Sequence, residues 1–280
     1  MKVAVTGATG FVGRHVVDAL LTRGADVIAA ARAPERLFMD GVRLRTIALD
    51  LAENTGDAFA RLGKPDVLLH LAWAGLPNYQ SNTHLENELP RQIAFLDNCA
   101  RAGLQRLVVT GTCLEYGLQS GCLEETLPTA PVTAYARAKD GLRVHLQALA
   151  SAGGPKLTWL RPFYLYGDGQ AATSLYSQLR AAVAAGATKF AMSPGDQLRD
   201  FLSIESAAAK LSALVLNASD AGIVNLCSGV PKAVSAAVRE WLQDLGAHLR
   251  LDLGVYPYPD YEPKAFWGST RKLNALLETS

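Results

Sequence analysis

The chain has 280 residues, 49% of them hydrophobic, and its 27 Lys and Arg nearly balance 26 Asp and Glu, leaving a net charge of +1. That length buries a sizeable core, and the charge balance excludes the basic footprint that nucleic acid or an anionic membrane selects, while leaving small anionic ligands open. No apolar run reaches the roughly 20 residues that span a bilayer, because Asp18, Arg23 and similar charges interrupt each one, so a soluble protein with no membrane partner is expected. Cys99, Cys113, Cys122 and Cys227 lack C-x-x-C spacing and no secretory signal precedes the first apolar run, which points to reduced, mostly buried thiols in a cytoplasmic protein.

Val3 to Val5 reads as a short buried strand that stops at Thr6-Gly7-Ala8-Thr9-Gly10-Phe11-Val12-Gly13-Arg14 and opens into His15 to Leu21, whose apolar spacing is helical. Strand, tight turn and helix are what a dinucleotide pyrophosphate requires. Gly7 permits the turn, Gly10 lets backbone amides approach, Gly13 lets helix and strand pack closely, and the helix N-terminus faces the phosphates. Asp26 to Arg32 reads as a second buried strand with a cationic end. Sites selecting NAD place an acid about 20 residues beyond the glycines to hold the ribose hydroxyls, and none occurs from Val27 to Pro34. Arg32, with Arg14 as a second cation, suits a 2′-phosphate, so NADP(H) is favoured over NAD(H). The same two arginines also fit ordinary solvated surface charges.

Val42 to Leu51 predicts a third strand, Ala58 to Leu62 a short helix, and Pro65 to Ala72 a fourth strand with Trp73-Ala74-Gly75 at its carboxyl end, where open parallel sheets bind ligands. Asn87 to Ala102 predicts a helix stopped by Gly103, and Arg106 to Thr110 a fifth strand. Strands alternating with helices at this spacing argue for a doubly wound α/β parallel sheet. The fifth strand runs into Thr110-Gly111-Thr112-Cys113-Leu114-Glu115-Tyr116-Gly117, and the next helix opens near Val132. Tyr135 and Lys139, four residues apart, share one face of it. An ammonium beside the phenol is expected to lower the tyrosine's pKa from about 10 toward the working range of an acid/base catalyst. Thr112 at a strand end can orient the same reacting oxygen.

The spacing of Tyr135 and Lys139 alone arises by chance in many helices, but its combination with the other segments is specific. The sequence resembles the extended short-chain dehydrogenase/reductase superfamily, within its nucleotide-sugar epimerase, dehydratase and reductase group. The matching segments are residues 6–13, Leu49-Asp50-Leu51, His70-Leu71-Ala72, Thr112 with Tyr116-Gly117, Tyr135 with Lys139, and Leu160 to Gly167. The resemblance implies a Rossmann sheet with a smaller C-terminal substrate lobe, and a catalytic set of Thr112, Tyr135 and Lys139. The cofactor positions expected are Gly7, Thr9, Gly10, Phe11, Val12, Gly13, Arg14, Arg32, Asp50, Leu51, Leu71, Ala72, Trp73, Thr110, Tyr135, Lys139 and Pro162. Thr112, Tyr164, Arg199 and Tyr261 are the expected substrate contacts, with Arg199 in Gln197 to Phe201 resembling the family arginine that holds the substrate diphosphate. A surface pairing of Arg199 with Asp200 is the alternative. Residues 1–165 are expected to form most of the cofactor domain and 166–280 most of the substrate lobe, with a strand near 222–227 returning to the main sheet.

Departures from the family pattern narrow the reaction. In the 4,6-dehydratases the active-site threonine is followed by Asp and Glu; Cys113 and Leu114 stand there instead and cannot move those protons, and Glu115 is expected to point elsewhere. A 4-epimerase of this family generally retains NAD, against the Arg32 signal. The Tyr256 to Thr270 segment, dense in aromatics and prolines, is similar to the C-terminal segments of reductases acting on nucleotide-linked 4-keto-6-deoxyhexoses for bacterial surface polysaccharide; Phe266 and Trp267 either stack on ligand or close the small lobe's core. The expected activity is therefore NADPH-dependent 4-ketoreduction of a nucleotide sugar. An NAD-dependent 4-epimerase and a non-catalytic NADP sensor are the rivals. His15, His70, His84, His145 and His248 lack metal-ligand spacing, so no metal is expected. Family members often form homodimers through the helix bearing the tyrosine.

Overall fold

The computed structural model describes residues 1–53, 56–217 and 220–278. The first half contains β1 (Lys2–Thr6), α1 (Phe11–Thr22), β2 (Asp26–Ala31), β3 (Leu44–Ala48), α2 (Ala58–Arg61), β4 (Val67–His70), α3 (Leu89–Arg101), β5 (Arg106–Thr110), β6 (Gly121–Leu123) and α4 (Ala134–Ser151). It continues through β7 (Lys156–Pro162), β8 (Tyr164–Tyr166), α5 (Leu175–Ala184), β9 (Lys189–Ala191), β10 (Leu198–Ser203), α6 (Ile204–Asn217) and β11 (Gly222–Leu226). The remaining elements are β12 (Pro231–Ala233), α7 (Val234–Asp244), β13 (Arg250–Asp252), β14 (Phe266–Gly268) and α8 (Arg271–Glu278).

The main sheet is parallel throughout and ordered β11-β7-β5-β4-β1-β2-β3. Its inner strands are apolar on both faces, as a sheet covered by helices on each side demands, whereas the edge strand β3 exposes Arg45 and Thr46. Val3 and Val5 of β1 and Val67 and Leu69 of β4 pack with Val16, Val17 and Leu20 of α1 and Leu211 and Leu214 of α6. Ala4, Leu68, Leu107 and Trp159 face the other way, onto Phe59 of α2, Phe95 and Leu96 of α3, and Leu142 and Leu146 of α4. The α6, β11 and α8 segments, all beyond residue 200, pack with this unit, whereas α5, β9, α7 and β13 surround a separate core of Leu179, Phe190, Val238 and Trp241. Trp159 and Trp241 are buried. No helix of the described residues is long and apolar enough to cross a membrane.

Chain order reverses between β1 and β4. After β1 the chain steps outward to β2 and β3, then returns to place β4 on the other side, leaving a crevice above the carboxyl ends of the two strands. Register aligns those ends: Thr6 lies opposite His70, and His70 opposite Val109. At the first turn, a Cβ on Gly13 would sit 2.2 Å from the Gly7 carbonyl oxygen, so α1 can approach β1 this closely only with glycine there. His70 is fully buried with Nδ1 2.9 Å from Thr6 Oγ1 and Nε2 2.5 Å from Gln92 Oε1, and its ring stacks on Phe95.

Burial drives the His70 midpoint from 6.5 down to about 3, the charge of Lys139 adds to the fall, and the Gln92 hydrogen bond opposes it. The unfolded chain therefore takes up a proton that the fold refuses, and stability declines as pH falls below about 6.5 and continues to decline until about pH 3. This one group contributes a slope of about 1.4 kcal/mol per pH unit across that window. Urea unfolding of wild type and His70→Gln between pH 8 and pH 4 should give a shallower decline for the variant; parallel declines would contradict the assignment.

Candidate active site

The crevice between β1 and β4 opens into a cleft of about 510 Å3. Gly7, Thr9 and Gly10 form one wall, the β2 end with Arg32 another, and Asp50, Leu51, Leu71, Ala72 and Trp73 line the remainder. Helix α1 begins at Phe11 with no side-chain cap at Gly10, which leaves its first turn without the side-chain acceptor that Thr133 supplies to α4. A glycine-walled turn, an uncapped helix start and a carboxylate at the far end fit a dinucleotide. Asp50 Oδ1 accepts from the Ala52 amide at 2.9 Å, fixing its turn.

Arginines distribute differently from the sequence expectation. Arg32 lines the cleft, and Arg36, on the single turn Pro34–Arg36, lines it too. Arg14 does not: its guanidinium donates to the Thr9 and Gly10 carbonyls at 3.3 and 3.4 Å and lies against Gly169. The physical reason is helical phase, since Arg14 sits on the first turn of α1 facing the 168–169 loop. Arg91 of α3, paired with Glu88 at 3.1 Å, is a further cation at the cleft.

Thr112, Tyr135 and Lys139 converge beyond β5. Thr112 begins a tight turn, Cys113–Tyr116, closed by reciprocal bonds: its hydroxyl accepts from the Leu114 amide at 3.3 Å, and its amide donates to Glu115 Oε1 at 2.8 Å. Glu115 is fully buried, bound to Arg161 Nε at 2.7 Å and to Trp159 Nε1 at 3.1 Å, with Arg143 at 4.0 Å. Gly111 makes room for this, because a Cβ there would lie 2.1 Å from Glu115 Oε1. The carboxylate thus faces inward, beneath the Thr112 turn. Tyr135 is the second residue of α4, whose start is fixed by Thr133 Oγ1 accepting the Ala136 amide at 3.1 Å. Lys139 Nζ, one turn on, donates to the Thr110 carbonyl at 2.8 Å.

The electrostatics depart from the simple expectation that the ammonium lowers the tyrosine. Burial raises the Tyr135 pKa, with Tyr79, Glu115 and Cys113 adding to the rise and a Thr112 hydrogen bond opposing it. Lys139, also buried, falls from 10.5 to about 7 through desolvation, against the pull of Glu115 and Glu88. In the ligand-free protein the phenol keeps its proton and the amine is poised near neutrality. Cys113 is held as a thiol by burial. Cys99, Cys113 and Cys227 are buried, Cys122 is exposed, and all four are free thiols.

The C-terminal segment reaches this centre. Tyr261 packs 6.2 Å from Tyr79, and Tyr79 packs 5.5 Å from Tyr135. Tyr79 has no motif to mark it in the sequence; its place in the loop after β4, where parallel sheets bind ligands, is the one available signal. Arg199 does not present a free cation to a diphosphate: it is 2% exposed, donates to Glu262 Oε2 at 2.9 Å and to the Leu198 and Lys264 carbonyls, and stacks on Phe266. Nor does it pair with Asp200, which instead accepts from Ser228, Gly229 and Gly268. Tyr164 packs on Phe201 and Phe266 beside Arg199. Phe266 closes a core with Phe163 and Tyr116, whereas Trp267 remains half-buried; Pro162 ends β7 below that cluster.

Removing one partner of the buried pair should expose its cost. Glu115→Ala leaves Arg161 charged and unpaired, and is expected to lower stability by about 3–5 kcal/mol. Adding Arg161→Met should recover part of the loss in urea unfolding. A singly substituted protein as stable as wild type would refute the role.

The family model described as "NAD dependent epimerase/dehydratase family" matches residues 3–227. The chain is 30% identical over 278 residues to dTDP-6-deoxy-L-talose 4-dehydrogenase (NAD(+)) of Aggregatibacter actinomycetemcomitans, covering 96% of this chain and 100% of that relative. It is 31% identical to dTDP-6-deoxy-L-talose 4-dehydrogenase (NAD(P)(+)) of Kitasatospora kifunensis, covering 92% and 83%. Among solved structures, MoeE5 in complex with UDP-glucuronic acid and NAD superposes with a TM-score of 0.83 at 26% identity, over 99% of this chain and 93% of that one. With its glycine-walled cleft, its Thr112, Tyr135 and Lys139 centre and these similarities, the chain belongs to the NAD dependent epimerase/dehydratase family and is a nicotinamide-dependent enzyme.

Proposed function

We propose that the protein reduces the 4-keto group of a nucleotide-activated 4-keto-6-deoxyhexose, with NADPH preferred over NADH. The observation carrying this reading is the protonated, buried Tyr135 hydrogen-bonded to Thr112 and packed against Trp73, which lines the dinucleotide cleft, with no acid at Cys113 or Leu114. A bound nicotinamide dinucleotide supplies the hydride. Tyr135, holding its proton at neutral pH, is set to donate it to the sugar's carbonyl oxygen; Thr112 orients that oxygen; Lys139 carries the positive charge that offsets the phenolate left behind. A dehydration needs a further proton acceptor, and the one nearby carboxylate of the turn, Glu115, is consumed by Arg161 and Trp159. Relatives named as 6-deoxytalose 4-dehydrogenases support sugar C4 as the redox carbon and a dTDP- or GDP-linked substrate.

The cofactor preference rests on Arg32 and Arg36 at the ribose end of the cleft with no acid on the β2 end. Family relatives carry names with NAD(+) and NAD(P)(+), so both dinucleotides belong in the test.

Oxidation of NADPH and NADH should be followed with dTDP-, GDP- and CDP-4-keto-6-deoxyhexoses. Turnover with one of them is expected, and Tyr135→Phe should lower kcat at least about 100-fold while dinucleotide affinity stays within a few-fold. No oxidation with any member, together with NAD that copurifies, would replace this reading with a 4-epimerase. Substituting Arg32 and Arg36 together by Ala should raise the KM for NADPH about 10-fold or more and leave the KM for NADH nearly unchanged. Equal effects on both would remove the 2′-phosphate assignment.

A further inference from the structure

Trp73, in the loop leaving β4, faces two ways. One part of it lines the dinucleotide cleft, and its ring face covers the Lys139 ammonium, whose Nζ lies 4.0 Å from the ring centroid. Its ring meets that of Tyr135 nearly at right angles, centroids 5.9 Å apart. The indole N–H donates to His84 Nδ1 at 3.1 Å, and His84 Nε2 lies 2.9 Å from the Asn78 carbonyl oxygen. These partners determine the tautomer: the indole can only donate and the carbonyl can only accept, so Nδ1 is bare and Nε2 carries the hydrogen. His84 is fully buried and its ring also packs 5.3 Å from Tyr135. One π-helical turn, His84–Glu88, brings His84 and Glu88 to this loop together, and Glu88 Oε2 accepts the Ala74 amide at 3.2 Å.

We propose that Trp73, held in orientation by neutral His84, is a positioning residue that keeps the Lys139 ammonium charged and aimed between the Thr110 carbonyl and the cleft. The proposal rests on the reductase reading for its catalytic meaning, but its physical content concerns the ligand-free protein. Lys139 is desolvated and, among the described residues, donates to the Thr110 carbonyl, so the electron-rich indole face replaces part of the lost hydration. That interaction favours the charged form and counters the burial that drives the group down to about 7. The other ionisable groups facing it are Glu88 on the π-turn, Glu115 beneath Thr112, His70 at the β4 end and Tyr135 on its own helix. Glu88 and Glu115 share the stabilising role, His70 is neutral above pH 3 and Tyr135 stays protonated, so the aromatic face is the component a substitution can remove without changing local charge. The His84 bond matters because an indole free to rotate presents its edge, which repels a cation.

The test is 13C NMR of lysine Cε in the substrate-free protein, with the Lys139 resonance assigned by its loss in Lys139→Met. Trp73→Leu is expected to lower the Lys139 midpoint by about one pH unit, and Trp73→Phe, which keeps a weaker ring face, by less. His84→Ala should also lower it, and His84→Gln, whose amide oxygen can accept the indole N–H, should restore it. Equal midpoints in wild type and Trp73→Leu overturn the proposal. If Trp73→Leu fails to fold, the histidine pair decides: a fall in His84→Ala restored in His84→Gln supports the proposal, and no fall overturns it. Because no substrate enters this measurement, failure of every 4-ketosugar to turn over would sink the reductase reading and leave this result standing.

Discussion

A buried carboxylate organises the end of the sheet where Thr112, Tyr135 and Lys139 meet. Glu115 lies under the turn that presents Thr112 and binds that turn's own amide, the indole of Trp159 and the guanidinium of Arg161, so the end of β5, the body of β7 and, through Arg143, helix α4 share one anion. Burying such a charge is costly unless every lone pair is used. Here the partners are all N–H donors, and the return is geometric: the Thr112 hydroxyl is held on a turn that cannot shift without breaking several charge-assisted bonds. The Tyr116 ring lies under Arg161, and its hydroxyl donates to Asn225 on β11, extending the same network to the sheet's edge.

Above this floor, the environment of Tyr135 is set by exclusion of water more than by a neighbouring cation. Tyr135 lies among Trp73, Tyr79 and His84, all aromatic, and Lys139 lies under an indole. A phenol in such a place resists ionisation, and an amine in such a place resists protonation. Both effects keep the phenol protonated until an accepting oxygen arrives, but the second opposes the proposed transfer, which draws on the ammonium form of Lys139 to offset the phenolate.

The parallel α/β sheet was legible from sequence because its strands are buried on both faces, giving short apolar runs such as Val67-Leu68-Leu69 between helices with clear periodicity. Boundaries shift by a few residues: the strand expected over Pro65 to Ala72 forms regular pairing over Val67–His70. The convergence of Thr112, Tyr135 and Lys139 was foreseeable because two of them share a helix face and the third ends a strand. What escaped were properties made by distant partners. Arg199 meets Glu262 63 positions later in the chain, Glu115 meets Arg161 46 positions later, and no local pattern encodes either meeting. The upward shift of Tyr135, against the expected fall, has the same kind of origin, since four-residue spacing reveals the neighbour and not the depth at which both are buried. Arg36 carries no local signal, because it lies on a single irregular turn after the β2 end.

The pairing of β6 with β14 joins two segments far apart in the chain. Strand β6 comes from the connection between Thr112 and Tyr135, whereas β14 lies just beyond the segment that carries Tyr261 and Glu262. Gly268 of β14 also fits against Phe163 and Cys227 with no space for a side chain, and donates its amide to Asp200. The segment that carries Tyr261 and Glu262 is therefore stitched to the connection between Thr112 and Tyr135. Modular exchange of a C-terminal portion between relatives, attractive for making new sugar specificities, would have to carry β6 along with β14, because a graft that brings only one would leave each strand facing a foreign edge.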